Sequence, residues 1–149
     1  MSLHALSLFG LLLLVGCGKA GPVMIPTVGV VTLDGEPMEG AAVMFMPVAG
    51  GRPASGVTDG AGRYQLRTRE ANDGAVTGEY NVSIMLVKTT GIQATADGLP
   101  GGSAPGGIKQ EWIIPKRYSK PDTSGLKATV AVGQREHNFP LVSGSVPSR

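Results

Sequence analysis

The sequence predicts an all-β fold, a single antiparallel β-sandwich of about seven strands, and three observations carry that expectation. Apolar and polar residues alternate along several short segments, most clearly where Tyr80, Val82, Ile84 and Leu86 interleave with Asn81, Ser83, Met85 and Val87. Turn formers punctuate these segments, for the 149 residues include 23 glycines and 11 prolines, a composition poor for long helices. No stretch repeats its apolar residues at the roughly 3.6-residue period of an amphipathic helix.

Ahead of the expected domain, the first sixteen residues contain no Asp, Glu, Lys or Arg. Ala5 to Gly16 is apolar but shorter than the about 20 residues of a bilayer span, which suits the core of a signal peptide. The run ends Leu14-Val15-Gly16-Cys17, the form of a bacterial lipobox. Residues 1–16 are therefore expected to be a lipoprotein signal peptide, with Cys17 lipidated and residues 17–27 a tether, although the first residues hold His4 and no Lys or Arg. Cys17 is the only cysteine, so an intrachain disulfide is excluded. A lone thiol in a chain bound for an oxidising compartment favours lipidation over a free thiol. Each buried acyl CH₂ contributes about 0.8 kcal/mol and one chain anchors only marginally, so several chains are expected. Gly18 in place of Asp after the cysteine favours, by analogy with Gram-negative sorting, the outer membrane. Gly16, Gly18 and Gly21 share the spacing of a dinucleotide loop, but no strand precedes them and Pro22 obstructs a following helix.

The sandwich is expected over residues 28–142. Its first strand starts at Val28 and ends at Asp34-Gly35, a hairpin-type turn in which glycine accepts positive φ. Glu36-Pro37 and Glu39-Gly40 extend the connection. Ala41, Val43 and Phe45 then share one face and Ala42, Met44 and Met46 the other. Pro47 and Gly50-Gly51 stop that strand. Arg52 to Val57 forms the next segment, and Thr58 to Gly62 leads into Arg63 to Thr68, with Tyr64 and Leu66 inward.

A connector, Arg69 to Thr77, precedes the strong strand that Gly78 opens. Residues 89–111 follow as a flexible insertion, rich in Gly, Pro and Ala, without alternation and with few groups to bind a ligand. Trp112-Ile113-Ile114-Pro115 resumes order. Leu126, Ala128, Val130 and Val132 alternate along a further strand, and Gly133-Gln134 turns into a last one with His137, Phe139 and Leu141 on one side. Pro140 places that strand at an edge. Residues 143–149 read as a frayed tail.

Val31-Thr32-Leu33-Asp34-Gly35-Glu36-Pro37 with Gly40-Ala41-Ala42-Val43, then Thr58-Asp59-Gly60-Ala61-Gly62-Arg63-Tyr64, resembles carboxypeptidase regulatory-like domains of the transthyretin-like class. Gly78-Glu79-Tyr80-Asn81-Val82, Ile114-Pro115-Lys116-Arg117-Tyr118 and Thr123-Ser124-Gly125-Leu126 are similar to pieces of small planctomycete-type envelope lipoproteins that carry this domain. The likeness spans Val28 to Leu141. It implies an Ig-like, transthyretin-like sandwich in the cell envelope, facing periplasm or surface. Its motifs are turn and core residues, which specify fold far better than function.

Chemistry is sparse. His137 is the only histidine after residue 16, so neither a His-based metal cluster nor a Cys partner for zinc is expected, and no cofactor is. Asp59-Gly60-Ala61-Gly62 lacks the alternating oxygens and closing Glu of a calcium loop. Asp34, Glu36 and Glu39 read as solvated turn carboxylates, and no G-x-S-x-G elbow occurs. A net charge of +2 with scattered basic residues argues against nucleic acid.

The one candidate contact patch is Trp112, Lys116, Arg117 and Tyr118, with Lys120 beside it, where aromatic and basic groups could meet a sugar or an anionic partner. The competing reading has Trp112 and Tyr118 packing on the sandwich edge while the cations stay solvated, and isolated aromatics favour it. The expected role is a non-enzymatic module anchored to the membrane, meeting an envelope protein or glycan. The enzymatic alternative is a hydrolase of the transthyretin-related hydroxyisourate type. That family closes with Tyr-Arg-Gly-Ser and uses several histidines, whereas this chain ends Val146-Pro147-Ser148-Arg149.

Overall fold

Alternation decides burial along the expected central strand: Ala41, Val43 and Phe45 are buried and Ala42, Met44 and Met46 are exposed. The computed structural model describes residues 22–94, 100–103 and 107–144. The expected signal segment, Cys17 and the start of the expected tether lie outside these residues, as does the end of the tail. The described chain is all-β, its strands joined by turns and one 3₁₀ turn at Lys116–Ser119.

In chain order the strands are β1 (Met24–Ile25), β2 (Val28–Leu33), β3 (Glu36–Pro37), β4 (Ala42–Pro47), β5 (Ala54–Val57), β6 (Arg63–Gln65) and β7 (Ala75–Val76). Then come β8 (Gly78–Met85), β9 (Val87–Thr90), β10 (Ile92–Ala94), β11 (Pro100–Ser103), β12 (Lys109–Trp112), β13 (Leu126–Val130) and β14 (Phe139–Leu141). One sheet has the order β13-β8-β4-β5 and another β14-β2-β3, with β6 also pairing β2. Phe45 of the first sheet meets Phe139 of the second edge-on at 6.0 Å and Tyr64 of β6 at 6.3 Å, so both sheets line one core. Offset and edge-on aromatic pairs add roughly 0.5–1.5 kcal/mol beyond the area they bury.

The Asp34-Gly35 turn has φ of 52° and 91°, the doubly positive geometry of a tight hairpin that matches strand twist. At the next connection Thr58 is buried and donates to the Met38 carbonyl while accepting from Ala41 N at 2.8 Å. A threonine is tolerated in the interior there because both capacities of its hydroxyl are used.

Five expectations differ from the structure. The sheets are not wholly antiparallel, because β14 runs parallel to β2 with Phe139 opposite Val31; alternation reveals a strand's faces but not the direction of its neighbour. Pro140 nevertheless stands on an edge strand, since β14 ends its sheet. The expected tether over 17–27 does not hold at its end, for β1 pairs with β7 and both Ile25 and Thr27 are buried. Val132 is 82% exposed rather than inward, because β13 ends at Val130 and the chain turns between Ala131 and Gln134.

The inserted stretch differs most. In place of a structureless loop over 89–111, β9 pairs antiparallel with β12 and β10 with β11, giving a β-ribbon. All four residues of β12 are exposed, as are three of the four in β9, so that pair is held by its ladder and not by a core. That is why no apolar alternation marks it.

Finally, the frayed tail begins with a contact: Ser143 N donates to the Asp34 carboxylate at 3.1 Å. The Ser143 side chain foremost, then this backbone bond and the positive Arg117 nearby, hold the Asp34 carboxyl below its ordinary range.

Candidate functional site

The ribbon delivers Trp112 to the surface, where it lies opposite Val87 and is 38% exposed. The chain then dives: Ile113 N donates to the Leu86 carbonyl at 3.0 Å and Ile114 is fully buried. It re-emerges as the 3₁₀ turn, whose tight pitch gives adjacent side chains different fates. Lys116 is exposed, with Nζ 5.7 Å from the Trp112 ring centre, inside the roughly 6 Å range of a cation–π contact.

Arg117 and Tyr118 are spent internally. Tyr118 is 5% exposed, and the Arg117 guanidinium lies 4.5 Å from its ring centre. Arg117 Nη2 also donates to the Tyr118 hydroxyl and to the Val142 carbonyl, while Val142 N donates to the Tyr118 oxygen. The pair thereby fastens the segment after β14. Of the four patch residues, Trp112 and Lys116 remain together at the surface, and of the two cations Lys116 alone is exposed. Cys17 lies outside the described residues.

The two largest of the clefts described lie away from this corner. A shallow one of about 480 Å³ lies over β2 and β6, bordered by Val28, Val57, Asp59, Arg63 and Glu136. The Asp59 carboxylate there accepts from Ala61 N and Arg63 N, each at 2.9 Å, and from Arg63 Nε at 3.3 Å. These bonds, the Arg63 backbone foremost, hold its carboxyl below the ordinary range. The Asp59-Gly60-Ala61-Gly62 stretch is thus a self-capped turn, its carboxylate already committed.

The second cleft, of about 460 Å³, sits where the chain enters the fold and is bordered by Pro22, Met24, Pro47, Arg52, Arg69 and Tyr80. Asp73 organises its rim by accepting from the backbone N–H groups of Thr68, Arg69 and Glu70, which depresses its pKa. Sequence reading missed this cleft because its residues come from four separated segments, each an ordinary loop or strand end.

His137 stands edge-on to Phe45 at 5.9 Å, with Nε2 buried and without a partner. Burial pulls its pKa below 6.5, which keeps the ring neutral at pH 7. Among the described residues no group of three His, Cys, Asp or Glu could hold a metal ion, and no helix is long and apolar enough to cross a membrane. No family model, curated protein or solved structure matches the chain.

Proposed function

We propose that the chain is a non-enzymatic, lipid-anchored module of a bacterial cell envelope, with its two four-stranded sheets arranged as an Ig-like, transthyretin-like sandwich. The observation that carries this reading is Leu14-Val15-Gly16-Cys17 closing an uncharged apolar run, directly ahead of a small β domain. The resemblance to carboxypeptidase regulatory-like domains of planctomycete-type lipoproteins supports it, and so does the shared core between the sheets. Gly18 supports an outer-membrane address. Replacement of Cys17 by Ser tests the anchor: fatty-acid labelling should vanish and the unprocessed precursor should accumulate. Equal labelling of both proteins overturns the proposal.

For the partner, the exposed Trp112 ring with Lys116 beside it supports an envelope protein or glycan docking at the base of the ribbon. An indole face stacks on the apolar face of a sugar, and an ammonium completes the contact with an acidic group. Titration with envelope glycans, followed by Trp112 emission, should give a saturable change that Lys116→Ala weakens; a flat response removes the glycan branch.

A further inference from the structure

Three segments distant in sequence converge on Thr77, Gly78 and Glu79. Thr77 N donates to the Val23 carbonyl at 3.0 Å, Val48 N donates to the Glu79 carbonyl at 2.9 Å, and Gly78 is the register partner of Val130, two residues before Val132. Each segment brings an exposed valine to this end: Val23 is 52%, Val48 59% and Val132 82% exposed. A single exposed apolar residue is ordinary, but three on loops at one end form an apolar cap. Elsewhere the exposed large apolar residues lie on strand faces, in or beside the ribbon, or after β14.

Charge does not select what this cap meets. Arg52, Arg69 and Asp73 border the cleft at this end, Lys127 and Glu79 line a cleft with Val48, and Glu70, Arg135 and Glu136 adjoin these segments in sequence, four charges of each sign. The apolar side chains therefore decide the contact.

The same end receives the N-terminal segment. Pro22 borders the cleft there and Met24 pairs with Val76. Cys17 precedes Pro22 by five residues, and extended chain covers at most about 3.5 Å per residue, so the leash is no longer than about 17 Å. β8 runs from this end at Gly78 to Met85, beside the ribbon, a further distance of about 23 Å at the usual strand rise. A lipid on Cys17 brings the valine end to the bilayer and leaves the ribbon beyond the leash.

We propose that this end is seated on the phospholipid surface, with Val23, Val48 and Val132 among the headgroups and the ribbon of β9 and β12 directed away. The inference rests on lipidation of Cys17 and adds the orientation and the contact surface. Balanced charge makes the seat insensitive to salt, unlike a polybasic patch.

The test uses the full-length, lipidated protein in vesicles of phosphatidylethanolamine and phosphatidylglycerol. Val48→Cys, Val132→Cys and, on the ribbon, Gln110→Cys each carry a thiol-linked fluorophore, since acylated Cys17 does not react. Headgroup nitroxide lipid should quench the labels at 48 and 132 several-fold more than the label at 110, equally at low and high salt. Vesicle-bound protein with uniform quenching, or a difference abolished by salt, overturns the seat and leaves the anchor standing. Protein that stays in the aqueous phase overturns both.

Discussion

The phenolic hydroxyl of Tyr64 donates a 2.6 Å hydrogen bond to the backbone carbonyl of His137, 73 residues further along. Gly29 makes that approach possible: a Cβ there would stand 1.9 Å from the same carbonyl oxygen and 2.7 Å from the Tyr64 oxygen. Around it His137 N donates to Val28 O, and Val30 N donates to the Asn138 side chain. One glycine thus lets β2, β6 and the approach to β14 close on each other.

Gly29→Ala should therefore destabilise the protein by about 1–3 kcal/mol, the cost of forcing atoms into a filled interior. Tyr64→Phe should cost about 1–2 kcal/mol by leaving a buried carbonyl unpaired. In the Gly29→Ala background the second change should cost less, since the bond is already displaced. Urea unfolding of the two single variants and the double variant measures all three, and a neutral Gly29→Ala would contradict the packing described.

His137 sets a pH window. Because burial depresses its pKa from 6.5, the unfolded chain takes up the proton first as pH falls. Stability from this residue is complete above the ordinary histidine range and is lost as pH drops through 6.5 toward the depressed value. Urea midpoints between pH 8 and about 5 should decline for the natural protein and flatten for His137→Gln. Asp34, Asp59 and Asp73, all depressed, belong to a separate loss at lower pH, within and below the ordinary carboxylate range.

Neighbouring residues of β4 should respond oppositely to truncation. Phe45 is fully buried and touches Tyr64, Tyr80, His137 and Phe139, so Phe45→Ala should cost about 3–5 kcal/mol. Met44→Ala, on the exposed face, should change stability by no more than about 0.5 kcal/mol. Thermal unfolding distinguishes them, and comparable losses would mean that the outer face is covered.

The outer part of the ribbon should be removable. Thr90 and Lys109 are register partners, so Asn-Gly in place of residues 91–108 closes β9 onto β12 with a two-residue hairpin turn. No core residue lies among the described residues of that stretch. Stability should shift by less than about 1 kcal/mol, and loss of cooperative unfolding in the shortened chain would show that the ribbon supports the core.

The sequence revealed strands wherever their two faces differ in polarity, as along β4 and β8, because burial of one face imposes the alternation. It concealed β9 and β12, whose ladder satisfies backbone groups without burying a face. It also concealed the partner of β14, since the alternation of Phe139, Pro140 and Leu141 is equally compatible with either direction of pairing. At the patch, adjacency in sequence suggested that Trp112, Lys116, Arg117 and Tyr118 act together. Burial of Ile114 between them turns the last two inward, and side-chain types alone carry no trace of that.

The parallel pairing of β14 with β2 bears on the order in which the chain matures. Val31 and Phe139 face each other across 139 − 31 = 108 residues, among the most sequence-distant contacts in the fold. High contact order slows folding, because loop-closure entropy is spent before the contact rewards it. The β14 edge of the β2 sheet stays unfilled until Leu141 has left the ribosome, so every other strand of the two large sheets is synthesised before that edge closes. Under the proposed envelope address, a chain that closes late stays threadable, the state a secretion channel accepts.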